Sequence, residues 1–359
     1  MPRTIGLMSG TSLDGVDAAW LDTDGRTVSA FGPSVTLPYD DDLRSDLRGL
    51  LDLAPTLAAD DERLVDVVER LTMYHVRAVE AIGRPADLLG FHGQTILHQP
   101  HLRRTWQIGD ARLLARRTGL PVAFDFRSAD VALGGQGAPL APIYHAALAQ
   151  DLPKPLVVLN IGGVANVTWI GVDGSLMAFD TGPGNGPLDD WTSRHSAKPF
   201  DRDGLLARSG QSDPEVLERL LSHPYFDRPP PKSLDRLDFG AALATSGVEK
   251  LSAADGAATL AAFTVASIAR ASLPGSPTRW IVCGGGRRNP VLMEGLRNCL
   301  DVPADPVEVM GWDGDGLEAQ CFGFLAARVA AGLPLSFPGT TGVPHPLKGG
   351  QVVEPPADR

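Results

Sequence analysis

"IGLMSGTSLDGVDAAWLD", Ile5 to Asp22, sets two apolar runs on either side of a short polar turn. Ile5 to Met8 reads as a buried strand, and Val16 to Leu21 resumes strand character. Between them Ser9, Gly10, Thr11, Ser12, Leu13, Asp14 and Gly15 form a small, flexible connection. Gly10 and Gly15 permit tight conformations, so the turn can aim several backbone N–H groups and hydroxyls at one anion. An ordinary β-hairpin explains the same residues, and the choice rests on the remainder of the chain.

The pattern recurs. Leu156 to Leu159 is a second buried strand, followed by "NIGGVANVTWIG" from Asn160 to Gly171. Two hairpins of one kind, far apart in sequence, predict two similar domains facing each other. Further strands are expected at Thr27–Leu37, Leu88–Phe91, Pro121–Phe124 and Trp280–Val282. Helices are expected at about Leu57–Ile82, Asp110–Thr118, Ala253–Ala271 and Leu317–Ala331. In the first of these, Leu64, Val67, Val68, Leu71, Val76 and Val79 recur at helical spacing. Alternating strands and helices make the chain α/β. The Pro-rich stretch Pro224 to Gly240 reads as an ordered loop or insertion, and the tail beyond Gly349 as frayed.

The length of 359 residues is that of two domains, and 43% hydrophobic residues supply their cores. A formal net charge of −11 disfavours nucleic acid and anionic membranes as partners. The N-terminus enters a strand at once, without a signal-peptide pattern, and no run of eighteen apolar residues occurs, so a cytoplasmic location is expected. Cys283, Cys299 and Cys321 lack CxxC spacing and read as structural thiols rather than zinc ligands.

A third glycine segment, Gly284-Gly285-Gly286, also follows a strand, with a helix expected from Asn289 or Pro290. Three such loops favour nucleotide binding. No GxxxxGK[ST] occurs, so the phosphates would be held by amides and hydroxyls of two hairpins. Asp14 and Asp17 are candidate magnesium ligands, although Asp17 is equally a turn former. Asp180, in "FDTGPGNGPLDDW", follows a strand and precedes the close-approach loop Thr181, Gly182, Pro183, Gly184, Asn185. Its carboxylate is the candidate general base; the alternatives are an Asx-turn or a helix cap. His92, Gln94 and Thr95 of "GFHGQTILHQP", with Arg127 and Asp130 of "DFRSADVALGGQGAPL", are strand-end polar groups suited to a polyhydroxylated substrate. Arg127 can fork onto an anion or pair with Asp130.

With these segments the chain resembles the 1,6-anhydro-N-acetylmuramic acid kinase family. "GLMSGTSLDGVDAA", "HGQTILHQP", "NIGGVANVT", "FDTGPGN", "PPPKS", "CGGGRRNP", "LEAQCFGFLA" and "GLPLSFPGTTGV" carry the resemblance in order from residue 5 to residue 343. It implies a two-domain actin-like ATPase (ribonuclease-H-like) fold with a central interdomain cleft. Residues 1–138 with 332–359 would form the N-terminal sugar-kinase domain, and 139–331 the second, with the adenosine-binding elements. It further implies ATP and Mg²⁺ as cofactors. Gly10 to Asp17, Val16 included, would serve as the first phosphate loop, Asn160, Gly162, Gly163 and Asn166 as the second, and Gly284, Gly285, Gly286 and Asn289 as the adenosine side. Asp180 would be the catalytic base. Thr181, Gly182, Asn185 and Glu318 would join the sugar contacts, Glu318 being otherwise a helix-surface acid. The reaction implied is opening of the anhydro ring by water with phosphorylation of the released O6, on an amino-sugar substrate, by a homodimer.

The leading Arg of "GGRRN", Arg287, departs from the family pattern, in which a smaller residue is usual. The approach "WDGDGLEAQCFGF" departs from an expected Pro-Asp-Ala-rich one. Competing functions are a plain sugar or acetate-type kinase, separable by water incorporation, and a non-catalytic sugar sensor. The sensor would carry a basic DNA-binding helix-turn-helix, which the sequence does not show.

Overall fold

The computed structural model describes residues 1–10, 12–234 and 238–356. The chain divides into two units, Met1–Gln150 with Asp315–Arg359, and Asp151–Gly314.

In the first unit, β1 (Arg3–Ser9), β2 (Gly15–Thr23) and β3 (Val28–Pro38) form an antiparallel meander. On its other side β1 pairs in parallel with β4 (Leu88–Gln99), which carries β5 (Arg104–Ile108) on its far end and pairs in parallel with β6 (Val122–Phe124). The second unit repeats the arrangement. Its β7 (Leu156–Ile161), β8 (Val164–Ile170) and β9 (Leu176–Pro183) form the meander, and β7 pairs in parallel with β10 (Trp280–Cys283), which pairs with β11 (Ala304–Pro306). The strand orders match, β6-β4-β1-β2-β3 against β11-β10-β7-β8-β9, so the two quoted hairpins occupy the same place in two copies of one topology.

Each unit has its own core. One gathers Ile5, Leu7, Val16, Leu43, Leu71 and Leu89; the other gathers Val157, Leu159, Val167, Phe179, Trp191 and Phe263. The helix expected at Leu57–Ile82 runs from Glu62 to Ile82, where Asp61 caps its start and Gly83, in the left-handed region, ends it. A further helix, Asp41–Leu53, buries Leu43, Leu47 and Leu50.

Two findings differ from the sequence expectations. The unit boundaries fall at Gln150/Asp151 and Gly314/Asp315, not at 138/139 and 331/332. The reason is the helix Leu317–Ala330, which lies directly on β1 and β4. A Cβ on Gly6 would stand 1.7 Å from the Ala319 carbonyl oxygen, and one on Gly90 2.0 Å from that of Phe322. Such contact is possible only without side chains, and it assigns the helix to the first unit. The tail is also ordered further than expected, because Gln351–Val353 pairs antiparallel with β6.

Candidate active site

The β1–β2 turn is built from its root. Ser9, which is 1% exposed, bonds the Tyr39 hydroxyl at 2.6 Å and donates to Gln94 Oε1 at 2.5 Å. Leu13 takes a positive φ of 55°, with its N–H on the Gly10 carbonyl and its own carbonyl accepting from Arg44. The turn is therefore strained and braced, as binding loops are. Gly15 is needed where β2 meets β3, since a Cβ there would stand 2.4 Å from the Leu37 oxygen. Gly10, Ser12 and Asp14 form the turn, with Ser12 donating to Asp14 at 2.8 Å. The side chains of Leu13 and Val16 belong to the core. Thr11 lies outside the described residues.

Asp17 sits within β2 and not in the turn, accepting from the Thr36 hydroxyl at 2.5 Å. Burial raises its pKa, and the Asp14 and Asp315 charges raise it further against the Thr36 bond. Glu318, near the start of the helix on the sheet, is raised by desolvation and by Asp17 and Asp14, while Arg127 pulls it down. It is exposed at the first turn of that helix, within the field of these charges.

Arg127 does not pair with Asp130. Its Nε–H goes to His92 Nε2 at 3.0 Å and its Nη1 to the Gly137 carbonyl at 2.7 Å, so the outer edge of the fork is open to an anion. Asp130 is 2% exposed and accepts from Gly137 N–H and the Thr341 hydroxyl, both at 2.6 Å. Gln94 is fully buried, bound to Ser9 at one end and to the Thr95 carbonyl at the other. Thr95 accepts from Gln107. Gln94 and Asp130 thus hold the loops and have no free face for a substrate.

In the second unit the Gly162-Gly163 turn receives the next loop. Asn185 N–H donates to the Gly162 carbonyl at 2.7 Å, and Gly184 and Gly186 donate to that of Gly163. Asn160, next to last in β7, pairs with Cys283, and Gly284 packs on its side chain. Gly286 packs on Ile161, and Asn289 caps the helix Pro290–Cys299. A pocket of about 520 Å³ opens here, lined by Asn185, Phe200, Arg202, Gly285, Arg288 and Asn289 among others. Arg287 is turned to structure: it bonds Glu308 at 2.8 Å and the Gly284 carbonyl at 3.0 Å. That accounts for the unexpected arginine.

Asp180 lies on β9 opposite Asn166, at a bulge where Thr181 is the extra residue. Thr181 is 2% exposed and donates to the Ala165 carbonyl, and Gly182 packs against Ser267, so neither offers a side chain to a ligand. The cap position of the following helix is Asn185, which excludes Asp180 as its cap. Every polar group of Asp180 except one is tied to the Pro-rich stretch. Its N–H donates to the Lys232 carbonyl at 2.9 Å, its carbonyl accepts from the Tyr225 hydroxyl at 2.6 Å, and Oδ2 accepts from Leu234 N–H at 2.7 Å. Oδ1 has no partner among the described residues. Burial pushes the carboxyl up to about 7, against the Leu234 bond, which lowers it. A carboxylate with one oxygen fixed, one free and a pKa near neutrality is suited to general base catalysis. The Tyr225 and Lys232 contacts went unread in the sequence, where "PPPKS" was the only signal for them.

The family model for anhydro-N-acetylmuramic acid kinase matches residues 2–354. A protein of that name from Acidiphilium cryptum is 61% identical over 353 residues, covering 98% of each chain. One from Gluconobacter oxydans is 55% identical over 363 residues, covering 98% of this chain and 100% of its own, and one from Paramagnetospirillum magneticum is 55% identical over 357 residues, covering 97% and 98%. No helix among the described residues is long and apolar enough to cross a membrane. With both hairpins, the Asp180 loop and the third glycine segment all inside the matched span, the chain belongs to the anhydro-N-acetylmuramic acid kinase family.

Proposed function

We propose that this kinase opens the anhydro bridge of 1,6-anhydro-N-acetylmuramic acid with water activated by Asp180, and that the freed O6 is phosphorylated by ATP. Asp180 Oδ1 takes a proton from water as the water oxygen bonds to C1. The C1–O6 bond breaks, O6 bonds to the γ-phosphorus, and ADP departs, leaving N-acetylmuramic acid 6-phosphate. An inverting hydrolase otherwise needs a second carboxyl as acid for the leaving oxygen. Here the phosphoryl group takes that role. The single observation that carries the reading is the desolvated Asp180 carboxyl with one oxygen unpartnered among the described residues.

The pocket beside Gly285 and Asn289 is of nucleoside size, and Phe200 supplies an apolar face for a base. The open edge of Arg127 suits an anionic group of a substrate. The mutual repulsion around Asp17 and Glu318 fits a hard divalent cation. No three candidate ligands among the described residues enclose a metal alone, so Asp14 and Asp17 would share it with phosphate oxygens. Bound there, Mg²⁺ would offset phosphoryl charge.

The test is turnover in ¹⁸O-labelled water with ATP, Mg²⁺ and the anhydro sugar, read by mass spectrometry. Label at the anomeric position of a phosphorylated product, lost in Asp180→Asn, is expected. Phosphorylated sugar without label would favour plain hydroxyl phosphorylation and sink the coupled reaction.

A further inference from the structure

The Pro-rich stretch has no part in the reaction as written, yet it holds Asp180 on three sides. Tyr225 lies in a short helical turn, Pro224–Asp227, and is 3% exposed. Lys232 folds back onto that turn. Its Nζ donates to the Tyr225 carbonyl at 3.0 Å and more weakly to that of Phe226 at 3.4 Å, and it stands 4.5 Å from the centre of the Tyr225 ring. An ammonium over a ring face with carbonyl acceptors is a stable fastening that needs no carboxylate. Its own carbonyl meanwhile receives the Asp180 N–H.

We infer that Tyr225 and Lys232 are positioning residues for the base: Lys232 closes residues 224–232 into a loop that clamps Asp180 through the Tyr225 hydroxyl and carries the Leu234 amide to Oδ2. Oδ1, which has no partner among the described residues, is then the oxygen left to accept a proton. The inference rests on Asp180 being the base.

Among the described residues, the other charged groups near this clamp are Asp227 and Arg228, which face Lys232, and Asp238, which with Asp180 and Arg228 faces Tyr225. None of them outweighs burial as the influence on Asp180, whose main perturbation is desolvation opposed by the Leu234 bond. Loosening the clamp admits water to the carboxylate. The larger influence is relieved, and the carboxyl moves down towards the ordinary aspartate range.

The experiment measures kcat, and KM for both substrates, from pH 5 to 9 for the full-length enzyme, Tyr225→Phe, Lys232→Met, Lys232→Arg and Asp180→Asn. Expected for Tyr225→Phe and Lys232→Met is a fall in kcat of about tenfold or more, since small misplacements of a catalytic group are costly. The acid limb of kcat should move to lower pH, with KM for ATP within about twofold and partial rescue in Lys232→Arg. An unchanged acid limb with wild-type kcat in Tyr225→Phe, which keeps the ring and its packing, would overturn the inference. So would a Lys232→Met enzyme altered only in KM, which would make Lys232 a ligand-binding group. If Asp180→Asn keeps its turnover, the base assignment itself fails; if only that variant is inactive, the base stands and the clamp fails.

Discussion

Arg127 Nε–H donates to His92 Nε2 at 3.0 Å while His92 Nδ1 lies 2.7 Å from the Gly93 carbonyl, so the imidazole is neutral with its proton on Nδ1. A guanidinium cannot accept, which leaves Nε2 as the lone-pair nitrogen. Burial and the Arg127 charge keep the His92 pKa well below its usual value, in agreement. Replacing His92 with Phe retains a ring against Phe322, 4.5 Å away, but leaves the Arg127 donor unpaired. The expected cost is about 1–3 kcal/mol of stability, read by urea unfolding, together with a raised KM for the sugar. Unchanged values for both would show that Arg127 finds another acceptor.

Acid should weaken the first unit. His75 and His145 are pushed down to about 4 by burial, and His92 lies well below 6.5. Below about pH 6.5 the unfolded chain binds protons that the native unit refuses, and each such proton removes about 1.4 kcal/mol per pH unit of acidification. Asp17 and Glu318, raised in the native state, oppose this in part. In the second unit Asp180, raised to about 7, acts with the opposite sign and adds stability as pH falls below 7. Hydrogen exchange at pH 7 and pH 5, corrected for intrinsic rates, should show protection lost first in the helix Glu62–Ile82. Earlier loss in the helix Ala253–Ala269 would contradict the assignment.

The rate should follow Asp180. Below about pH 7 its carboxyl is protonated and no longer accepts a proton, so kcat falls with an acid limb near that value. Asp180→Asn is expected to lose about 10²–10⁴ in kcat and the acid limb with it. A limb that survives in the mutant would belong to another group.

Two glycines give opposite expectations. Gly6→Ala places a methyl 1.7 Å from the Ala319 oxygen and must displace the helix Leu317–Ala330, at a cost of about 1–3 kcal/mol or more. Gly49→Ala, inside the helix Asp41–Leu53 with nothing within 4 Å of the new Cβ, should stabilise by about 0.5–1 kcal/mol. Thermal unfolding of both variants checks the pair, and equal melting temperatures would refute the close-contact argument.

The strands and glycine turns were legible because period and backbone freedom are local properties. Asp180 could be singled out because a rigid, glycine-rich loop follows it in sequence, although the structure places it on β9 itself. The helix Asp41–Leu53 was not read, since its charged residues and Gly49 mask the Leu43, Leu47 and Leu50 stripe, although Asp40 is a clear cap. The strand Gln351–Val353 owes its existence to pairing with β6, more than two hundred residues away, which no local pattern reports. The division of work among the polar candidates was also out of reach. Gln94, inside β4, and Asp130, in the short helix Ser128–Ala132, have the same residue types as ligand-binding groups, and only their buried hydrogen bonds show them to be braces.

The helix Leu317–Ala330 covers β1 and β4 but is translated only after the whole second unit. On the ribosome the second unit, one continuous segment from Asp151 to Gly314, can close as soon as it emerges, while the first 150 residues wait for a helix not yet translated. The usual N-terminal-first order of assembly is thereby reversed. During that interval the sheet face at Gly6 and Gly90 has no helix to lie against.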